Sequence, residues 1–495
     1  MATTTVPTFD RPEPIPVALT YDDVLLVPKR SAVRSRRDVS TKTFLSRRVR
    51  LNIPIVASNM DTVCEAAMAV AMAREGGIGI LHRFCSVEEQ CAMVRKVKRA
   101  QSLIVDDPRT IAPTATKAEA LLGFAWEGRK GGVRSLMVVD GFRRLLGIVT
   151  PSDIQFSSDR VTVSDVMTPR DKLKVLTTTQ VSVDDARQLM HQHRTSNIPI
   201  VNGENQLVGL ITGSDIAKLL NNVHASLDTR SRLLVGAAVG VKSADISRAE
   251  ALVAAGVDAL VIDIAHGHSD FCLDMLKALK ANPKTNTVDI IAGNIATAEA
   301  ARDLIAGGAD GLKVGVGPGS ICITRLVAGS GVPQLTALLD VCRVARRAGI
   351  PVIADGGVRT AGDVSKAMAA GASTVMLGNM LAGTDESPGK VLVKDGKKVK
   401  IIRGMAGYGA NISKAEREQQ LEDDVFLDLV PEGVEGSVAY KGAVGSILKQ
   451  VVGGLRSGMS YCGVTRIEDM PKGASFVRMT TAGLKESGPH DISKL

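Results

Sequence analysis

Short apolar runs alternate with amphipathic stretches along the second half of the chain. The apolar runs are LLVGAAVG, ALVIDIAHG, DIIAGN, GLKVGVG, PVIADGG and TVMLGN, and the stretches between them include SRAEALVAAG and TAEAARDLIAGG. The amphipathic stretches end in glycine, as helix C-termini prefer. This alternation predicts β-strands joined by α-helices, and such units form parallel sheets with right-handed crossovers.

Two runs nearer the N-terminus, NIPIVASNM and GIGILHR, have the same character. They bring the predicted strands to eight, the number that closes a (β/α)8 barrel. A long segment of different composition separates these two runs from the later ones, and a barrel does not need it. The sequence therefore predicts an α/β fold: a (β/α)8 TIM barrel formed by residues 1–99 and 229–495, with residues 100–228 as an inserted domain.

The predicted inserted domain contains an internal repeat. SLMVVDGFRRLLGIVTPSDI parallels SNIPIVNGENQLVGLITGSDI, and each copy predicts a strand, a glycine turn, a second strand and a helix that starts at Thr-x-x-Asp. Two such copies are expected to pack as a pair, because one alone cannot bury its apolar face. The repeat resembles a tandem cystathionine-β-synthase (CBS, or Bateman) domain. The resemblance implies a regulatory nucleotide bound by Thr150, Asp153, Thr212 and Asp215, and the alternative is that both carboxylates only cap helices.

The composition narrows the class of protein. The hydrophobic content is 45% and the aromatic content only 3%, which suits buried parallel strands covered by helices. The seven cysteines form no C-x-x-C pair, so neither a zinc site nor a disulfide framework is expected, and the thiols are expected to be reduced in an intracellular compartment. No apolar run approaches the ~18 residues of a membrane span, and the N-terminus has no hydrophobic signal core.

The charge points to small anionic ligands. The net charge is +9, but the basic residues are scattered and lack interleaved aromatics. This pattern argues against nucleic-acid binding and fits the attraction of small anions. The last three residues, Ser493-Lys494-Leu495, match a peroxisomal import signal. They predict recognition by the import receptor and a peroxisomal or glycosomal location, with a solvated tail on a cytoplasmic protein as the alternative.

Polar residues follow the predicted strands, where barrel enzymes build their sites. The stretch GVGPGSIC places Cys322 after a loop of small residues. A thiolate there is a strong nucleophile, although a free cysteine is often only a small buried hydrophobe. The carbonyls of Gly315, Gly317 and Cys322 curve round a space that suits a monovalent cation. Ser320, Gly357 and Gly378-Asn379 offer backbone N–H groups to an anion such as phosphate, and Asp355 is placed to accept hydrogen bonds from ribose.

Five longer motifs carry a resemblance over nearly the whole chain. LTYDDVLLVP, GVGPGSICITR, ADGGVRTAGDV, MLGNMLAGTDESPG and LVPEGVEGSVAYKG resemble the inosine monophosphate dehydrogenase / guanosine monophosphate reductase family. The resemblance implies a purine 5′-monophosphate substrate, a nicotinamide cofactor, and a homotetramer or octamer. It also implies that Cys322 forms a covalent thioimidate with carbon 2 of the purine.

The same resemblance implies roles for individual residues. The substrate would contact Ser58, Met60, Ser320, Asp355, Gly357, Gly378, Asn379, Gly404, Met405 and Glu432. The cofactor would contact Asp263, His266, Ser269 and Asn294. K⁺ would bind the carbonyls of Gly315, Gly317 and Cys322. Thr324 and Glu386 would pass a proton to a departing amine, as general acid–base catalysis requires.

The two branches of the family differ in how they resolve the adduct. Dehydrogenases hydrolyse it with a base from an Arg-Tyr pair in a flap, whereas the corresponding stretch here, residues 411–430, contains no Arg-Tyr dipeptide and has Arg417-Glu418-Gln419 instead. An arginine with a pKa above ~12 is a poor base without such a partner. The sequence therefore favours the reductase branch, with NADPH reducing GMP to IMP and ammonia. The preference for NADPH rests on the resemblance alone.

Other features fit the dehydrogenase branch. Ordinary short reductases lack a CBS insert, and VPEGVEG is dehydrogenase-like. Two positions depart from the dehydrogenase pattern, because Ile402 stands where dehydrogenases place a phosphate-binding tyrosine and Ile323 replaces the usual threonine after the cysteine. The alternatives are therefore an IMP dehydrogenase, which makes XMP and NADH from IMP and NAD, and a non-catalytic nucleotide-sensing protein.

Overall fold

The structure is a computed structural model that describes residues 15–125, 133–222, 224–407, 409–410, 412 and 430–489. The chain divides into two compact units. Residues 1–94 and 235–495 form the first, called here the barrel unit, and residues 95–234 form the second, called the inserted unit. The predicted import signal at residues 493–495 and most of the stretch 411–430 lie outside the described residues.

The barrel unit is built on a closed barrel of parallel strands, as the sequence predicts. Each predicted apolar run contains one strand, and the strand residues are almost all buried. The eighth strand pairs with the first, and the second pairs with the third, so the inserted unit leaves the barrel closed. In chain order the strands are β1 (Ile55–Ala57), β2 (Ile78–Leu81), β3 (Gly236–Val239), β4 (Ala259–Asp263), β5 (Asp289–Ile295), β6 (Gly311–Val314), β7 (Val352–Asp355) and β8 (Thr374–Leu377).

A helix follows each barrel strand. Several of these helices begin at a residue whose side chain caps the free N–H groups of the first turn, such as Thr297 and Thr360, which is the usual start signal. The helices are α1 (Ala66–Arg74), α2 (Val87–Ala100), α3 (Ala244–Ala254), α4 (Asp270–Ala281), α5 (Ala298–Ala306), α6 (Gln334–Arg347), α7 (Ala361–Ala370) and α8 (Val444–Tyr461).

Between β8 and α8 the chain forms a three-stranded antiparallel sheet of Leu392–Lys394, Lys397–Arg403 and Glu435–Ala439. This sheet brings the segment after Arg403 next to the segment before Glu435, because Arg403 pairs directly with Glu435. Smaller pairs join Val24–Leu26 to Phe476–Arg478 and Thr43–Phe44 to Arg50–Leu51. The remaining helices of this unit are short and include Thr324–Val327, Met470–Gly473 and Thr481–Glu486.

The inserted unit contains the two predicted β-β-α copies. The first copy is Leu136–Val139, Leu145–Val149 and Pro151–Gln155, and the second is Asn197–Val201, Leu207–Thr212 and Gly213–Asn221. One apolar cluster takes Met137, Leu145 and Ile148 from the first copy and Val201, Leu207 and Leu210 from the second, so the copies pack as a pair. The other elements are Thr110–Ile111, Lys117–Phe124, Val163–Val166, Thr168–Pro169 and Val183–Gln192.

In the part of the chain that the structure describes, no helix combines the length and the apolar character that a membrane crossing needs.

Two adjacent glycines of α8 offer a matched test of the packing between α7 and α8. A Cβ at Gly454 would lie 2.3 Å from the Cβ of Ala361, whereas a Cβ at Gly453 would meet nothing within 4 Å. We expect Gly454→Ala to lower the melting temperature, because overpacking costs about 1–3 kcal/mol. Gly453→Ala should raise it, because alanine is favoured over glycine inside a helix by about 0.5–1 kcal/mol. Equal melting temperatures for the two variants would contradict this packing.

Candidate active site

The Cys322 loop begins where β6 ends and passes close to the end of β7. Gly315 has φ 151°, and a Cβ there would lie 2.1 Å from the carbonyl oxygen of Asp355. Only glycine fits such an approach. The loop delivers Cys322 just before the short helix Thr324–Val327, where the thiol is partly exposed. The six other cysteines are buried, so Cys322 is the cysteine placed for chemistry.

A hydroxyl and a carboxylate stand in line behind the thiol. The Sγ atom of Cys322 lies 3.2 Å from the Oγ1 atom of Thr324, and that hydroxyl donates a 2.7 Å hydrogen bond to the Oε2 atom of Glu432. The backbone fixes this order, because Ile323 N donates to Glu432 O at 2.8 Å and Val434 N donates to Ile321 O at 3.0 Å. Thiol, hydroxyl and carboxylate therefore form one continuous chain.

The predicted pairing of Thr324 with Glu386 is wrong in this structure. The Oε2 atom of Glu386 accepts a 2.9 Å hydrogen bond from the backbone N of Val444, the first residue of α8. An acidic side chain at a helix N-terminus is stabilised by the free N–H groups and the helix dipole. Glu386 is thus held at α8, and Glu432, predicted as a contact to the purine ring, takes its place beside Thr324.

Several residues predicted to contact the substrate come together where β8 and β1 lie side by side. A Cβ at Gly378 would lie 3.1 Å from the Sδ atom of Met60 and 3.9 Å from the Cβ of Ser58. Met405 joins them, because its Sδ atom accepts a hydrogen bond from Asp61 N at 3.4 Å. Asn379 is exposed, and its carbonyl accepts a hydrogen bond from Lys441.

The Asp355-Gly356-Gly357 turn lies against the Cys322 loop. Gly356 and Gly357 both have positive φ, and a Cβ at Gly356 would lie 3.0 Å from the Cγ of Pro318. This turn therefore sits beside the exposed Ser320, and both turns place backbone at the same barrel end. Gly404 is close as well, since a Cβ there would lie 2.9 Å from the Cα of Gly433. The predicted substrate residues thus converge round Cys322.

The predicted cofactor residues follow β4 and β5. Asn294 and the loop after Asp263 are joined, because the backbone N of Gly267 donates to Asn294 O at 2.7 Å. His266 is exposed. The hydroxyl of Ser269 is buried and, among the described residues, has no hydrogen-bond partner. A ribose hydroxyl or a carboxamide would satisfy that orphan, so these residues fit a nicotinamide nucleotide.

Lys313 is a residue of the site that the sequence reasoning missed. It is 2% exposed, and its ammonium contacts the Oδ1 atom of Asp263 at 2.6 Å, the Oδ2 atom of Asp355 at 2.7 Å and the Oδ1 atom of Asn294. Burial would raise the pKa of Asp263, but Lys313 and Arg83 outweigh it and hold that pKa below its usual value. The signal in the sequence was a single lysine inside the apolar run GLKVGVG.

The predicted K⁺ site stays a prediction, and the described loop shows which of its carbonyls already have partners. The carbonyl of Gly315, one of its three expected ligands, already accepts a 2.8 Å hydrogen bond from the Asn294 amide. The loop also holds a cation of its own, because Arg325 donates to Val316 O at 3.1 Å and to Val332 O at 2.6 Å. Burial lowers the pKa of Arg325, and the Cys322 thiolate opposes that shift. No step below depends on a monovalent cation.

Side-chain metal centres are also absent from the part of the chain that is described, since no group of three or more His, Cys, Asp or Glu residues there could hold a metal ion.

In the inserted unit, the two predicted nucleotide carboxylates lie at the starts of helices. Asp153 caps its helix, because it accepts hydrogen bonds from the N and Oγ1 atoms of Thr150, both at 2.7 Å. Asp215 accepts from the Oγ1 of Thr212 at 2.6 Å and from Lys218 at 2.8 Å, and the Thr212 hydroxyl caps that helix by accepting from Asp215 N at 3.2 Å. The capping alternative therefore describes the contacts of Asp153 but not those of the Asp215 carboxylate, and the role of both in nucleotide binding stays a prediction.

Comparison with known proteins settles the family. The family model described as the IMP dehydrogenase / GMP reductase domain matches residues 18–490. The chain belongs to this family. Its CBS-like repeat, its thiol loop and its closed barrel are the features on which the resemblance in the sequence depended.

Relatives in the IMP dehydrogenase / GMP reductase family carry both names. A GMP reductase of Leishmania donovani is 68% identical over 97% of this chain and 98% of its own. An inosine-5′-monophosphate dehydrogenase of Nitrosopumilus maritimus is 50% identical over 96% of this chain and 98% of its own. Membership alone therefore leaves the branch to be decided by the residues.

Solved structures of the family include two complexes of the Trypanosoma brucei GMP reductase. A cysteine-to-alanine variant in complex with guanosine 5′-monophosphate superposes with a TM-score of 0.89, at 64% identity, over 97% of this chain and 99% of that chain. The complex with guanosine 5′-triphosphate gives a TM-score of 0.77, at 56% identity, over 94% of this chain and 98% of that chain.

Proposed function

We propose that this protein is a GMP reductase that converts GMP into IMP and ammonia with NADPH as the reductant. The observation that carries the proposal is the chain of groups from Cys322 through Thr324 to Glu432, with contacts of 3.2 Å and 2.7 Å. A second observation supports the proposal: residues 411–430 contain no Arg-Tyr dipeptide. The first feature supplies an acid for a departing amine, and the second removes the base that water would need.

The first half of the reaction is a displacement at carbon 2 of the purine. With the ribose on Asp355 and the phosphate near Gly357 and Gly378, the Cys322 thiolate attacks carbon 2 and forms a C–S bond. A proton relayed between Glu432 and the Thr324 hydroxyl reaches the amino group, which leaves as ammonia. General acid catalysis of this kind contributes about 10²–10⁴ in rate.

The second half resolves the covalent adduct. When bound, a nicotinamide cofactor would supply the hydride that carbon 2 needs, and Cys322 would leave as its thiolate when the C–S bond breaks. Asp263, Ser269 and Asn294 are the residues expected to hold that cofactor. Over the cycle GMP takes up a hydride and two protons, and the products are IMP, NADP⁺ and ammonium.

The sequence lacks the Arg-Tyr pair that would activate water for hydrolysis of the adduct. No tyrosine lies between Gly409 and Ala439. The next tyrosine along the chain, Tyr440, donates its hydroxyl hydrogen to Asp385. Arg417 and its neighbours lie outside the described residues, so this step of the argument rests on the sequence.

The direct test of the function is an assay with both substrate pairs. We expect purified protein to oxidise NADPH only when GMP is present, with an equal amount of ammonia released, measured as loss of nicotinamide absorbance and by an ammonia assay. Faster formation of NADH from IMP and NAD would favour the dehydrogenase. Binding of GTP or ATP without turnover of either pair would favour the nucleotide-sensing protein.

The corrected pairing of Thr324 with Glu432 predicts a specific pattern of variants. Glu432→Gln and Thr324→Val should lower kcat for GMP by on the order of 10²- to 10³-fold, because each breaks the proton path to the amine. Thr324→Ser should keep most of the activity. The exchange of hydride between IMP and NADP⁺ involves no amine, so it should stay within a few-fold of the wild-type rate in every variant.

Glu386→Gln is the matched control for this pattern. Its side chain caps α8, so we expect a loss of at most about 1 kcal/mol in stability and a kcat close to wild type. If Glu386→Gln lowered kcat as much as Glu432→Gln, the corrected pairing would be wrong.

We further propose that purine nucleotides bound to the CBS-like inserted unit regulate turnover. The proposal is supported by the repeat with its Thr150–Asp153 and Thr212–Asp215 pairs. We expect Asp153→Asn and Asp215→Asn to change the response of kcat/KM to GTP. Asp165→Asn is the control, because Thr162 and Asp165 form the same kind of cap, with 2.8 Å contacts, outside the two predicted nucleotide motifs. An identical GTP response in all three variants and the wild type would refute the regulation.

A further inference from the structure

Lys313 is an ion buried at the centre of the barrel's catalytic end. Its side chain is 2% exposed, and it heads the fully buried side chains of the described residues by volume. A buried ammonium is costly unless charges and hydrogen bonds compensate it. A structural role alone would be served by an apolar side chain at this position of β6, as at most other positions in the barrel strands.

Three neighbouring strands supply the compensation. The ammonium has three hydrogens, and it contacts Asp263 from β4, Asn294 from β5 and Asp355 from β7. Asp263 and Asp355 belong to different predicted ligands, the cofactor and the nucleotide. One cation therefore balances a carboxylate on each side of the site.

The contacts on Asp355 are confined to one of its two oxygens. Lys313 and Asn294 both donate to Oδ2, at 2.7 Å and 2.9 Å, which leaves Oδ1 without a hydrogen bond among the described residues. The two oxygens of Asp263 are both engaged, Oδ1 by Lys313 and Oδ2 by Asn59 at 2.8 Å. Asp355 is thus clamped through one oxygen and open at the other.

We propose that Lys313 is a positioning residue for nucleotide binding, whose contact with Oδ2 of Asp355 holds that carboxylate with Oδ1 aimed at the ribose hydroxyls. This inference rests on the proposed function only for the ligand, a purine 5′-monophosphate. The same ammonium balances Asp263, so removing it leaves two carboxylates close together without their shared cation. One of them must then take up a proton more readily, because like charges disfavour joint ionisation.

Arg83, Cys272 and Tyr21 also interact electrostatically with this pair. Arg83 acts on Asp263 as a permanent cation. Burial, with help from Asp263, raises the pKa of Cys272 to about 11. Burial also raises the pKa of Tyr21, with Asp363, Cys342 and Asp355 adding to the shift. Loss of Lys313 therefore removes the cation that contacts both the Asp263 and the Asp355 carboxylate.

The test is the pH dependence of GMP binding by calorimetry, without cofactor, on the full-length protein from about pH 5.5 to 8.5. The wild-type profile accounts for the titration of the nucleotide phosphate, whose pKa is about 6. In Lys313→Met the dissociation constant should exceed the wild-type value most at low pH, because a protonated carboxyl binds ribose less well. It should recover as the pH rises, by up to about tenfold per pH unit. Lys313→Arg, which keeps the charge, should restore the wild-type profile.

Lys400→Met is the matched control for the loss of a buried lysine. Lys400 is 4% exposed, and its ammonium donates to the carbonyl of Ser387 at 2.7 Å rather than to a carboxylate. This variant should lose stability but keep the wild-type pH profile for GMP. The inference would be overturned if the dissociation constant of Lys313→Met followed the wild-type pH profile. It would also be overturned if Lys400→Met showed the same loss of affinity at low pH as Lys313→Met.

A second comparison decides the matter if Lys313→Met does not fold. The double variant Lys313→Met with Asp263→Asn removes one cation and one anion together. Its affinity for GMP should be at least about tenfold below that of Asp263→Asn alone, because Asp355 then lacks the Lys313 contact that aims Oδ1 at the ribose. Equal affinities would refute the clamp on Asp355. Failure of the proposed function would show separately, as a wild-type protein that binds GMP but does not reduce it.

Discussion

The antiparallel pairing between the Cys322 loop and residues 432–434 is the contact on which the candidate site depends. It consists of two backbone hydrogen bonds, from Ile323 N to Glu432 O at 2.8 Å and from Val434 N to Ile321 O at 3.0 Å. A nucleophile on a glycine-rich loop has no fixed partner by itself. The pairing sets Thr324 between the thiol and Glu432. It therefore places a hydroxyl and a carboxylate beside the proposed nucleophile.

The barrel supplies the second constraint, which is electrostatic. Parallel strands end at one edge, so Asp263, Asn294 and Asp355 must meet there, and Lys313 rises between them from β6. Charges buried this deeply are not solvated by water, so other charges and hydrogen bonds must compensate them. The proposed nucleotide site and the proposed cofactor site consequently share one buried cation, Lys313.

The sequence predicted the barrel because every strand is a short apolar run followed by an amphipathic helix. These are local patterns, so they can be recognised without knowing the tertiary contacts. It also placed Cys322 and Asp355 at the barrel end. It did not pair Thr324 with Glu432, since Glu386 and Glu432 both lie in segments after β8 whose path depends on the antiparallel sheet that joins Arg403 to Glu435. Local pattern carries no information on which of two distant carboxylates reaches Thr324. Lys313 was missed because its meaning appears only when three strands converge on it.

The central claim is that hydride, and not water, releases the purine from Cys322. The most direct measurement is mass spectrometry of the nucleotide formed from GMP and NADPH carrying deuterium at both positions of nicotinamide carbon 4, in water enriched in ¹⁸O. The account predicts IMP with one deuterium at carbon 2 and no ¹⁸O-labelled XMP. XMP containing ¹⁸O, or IMP without deuterium, would contradict it.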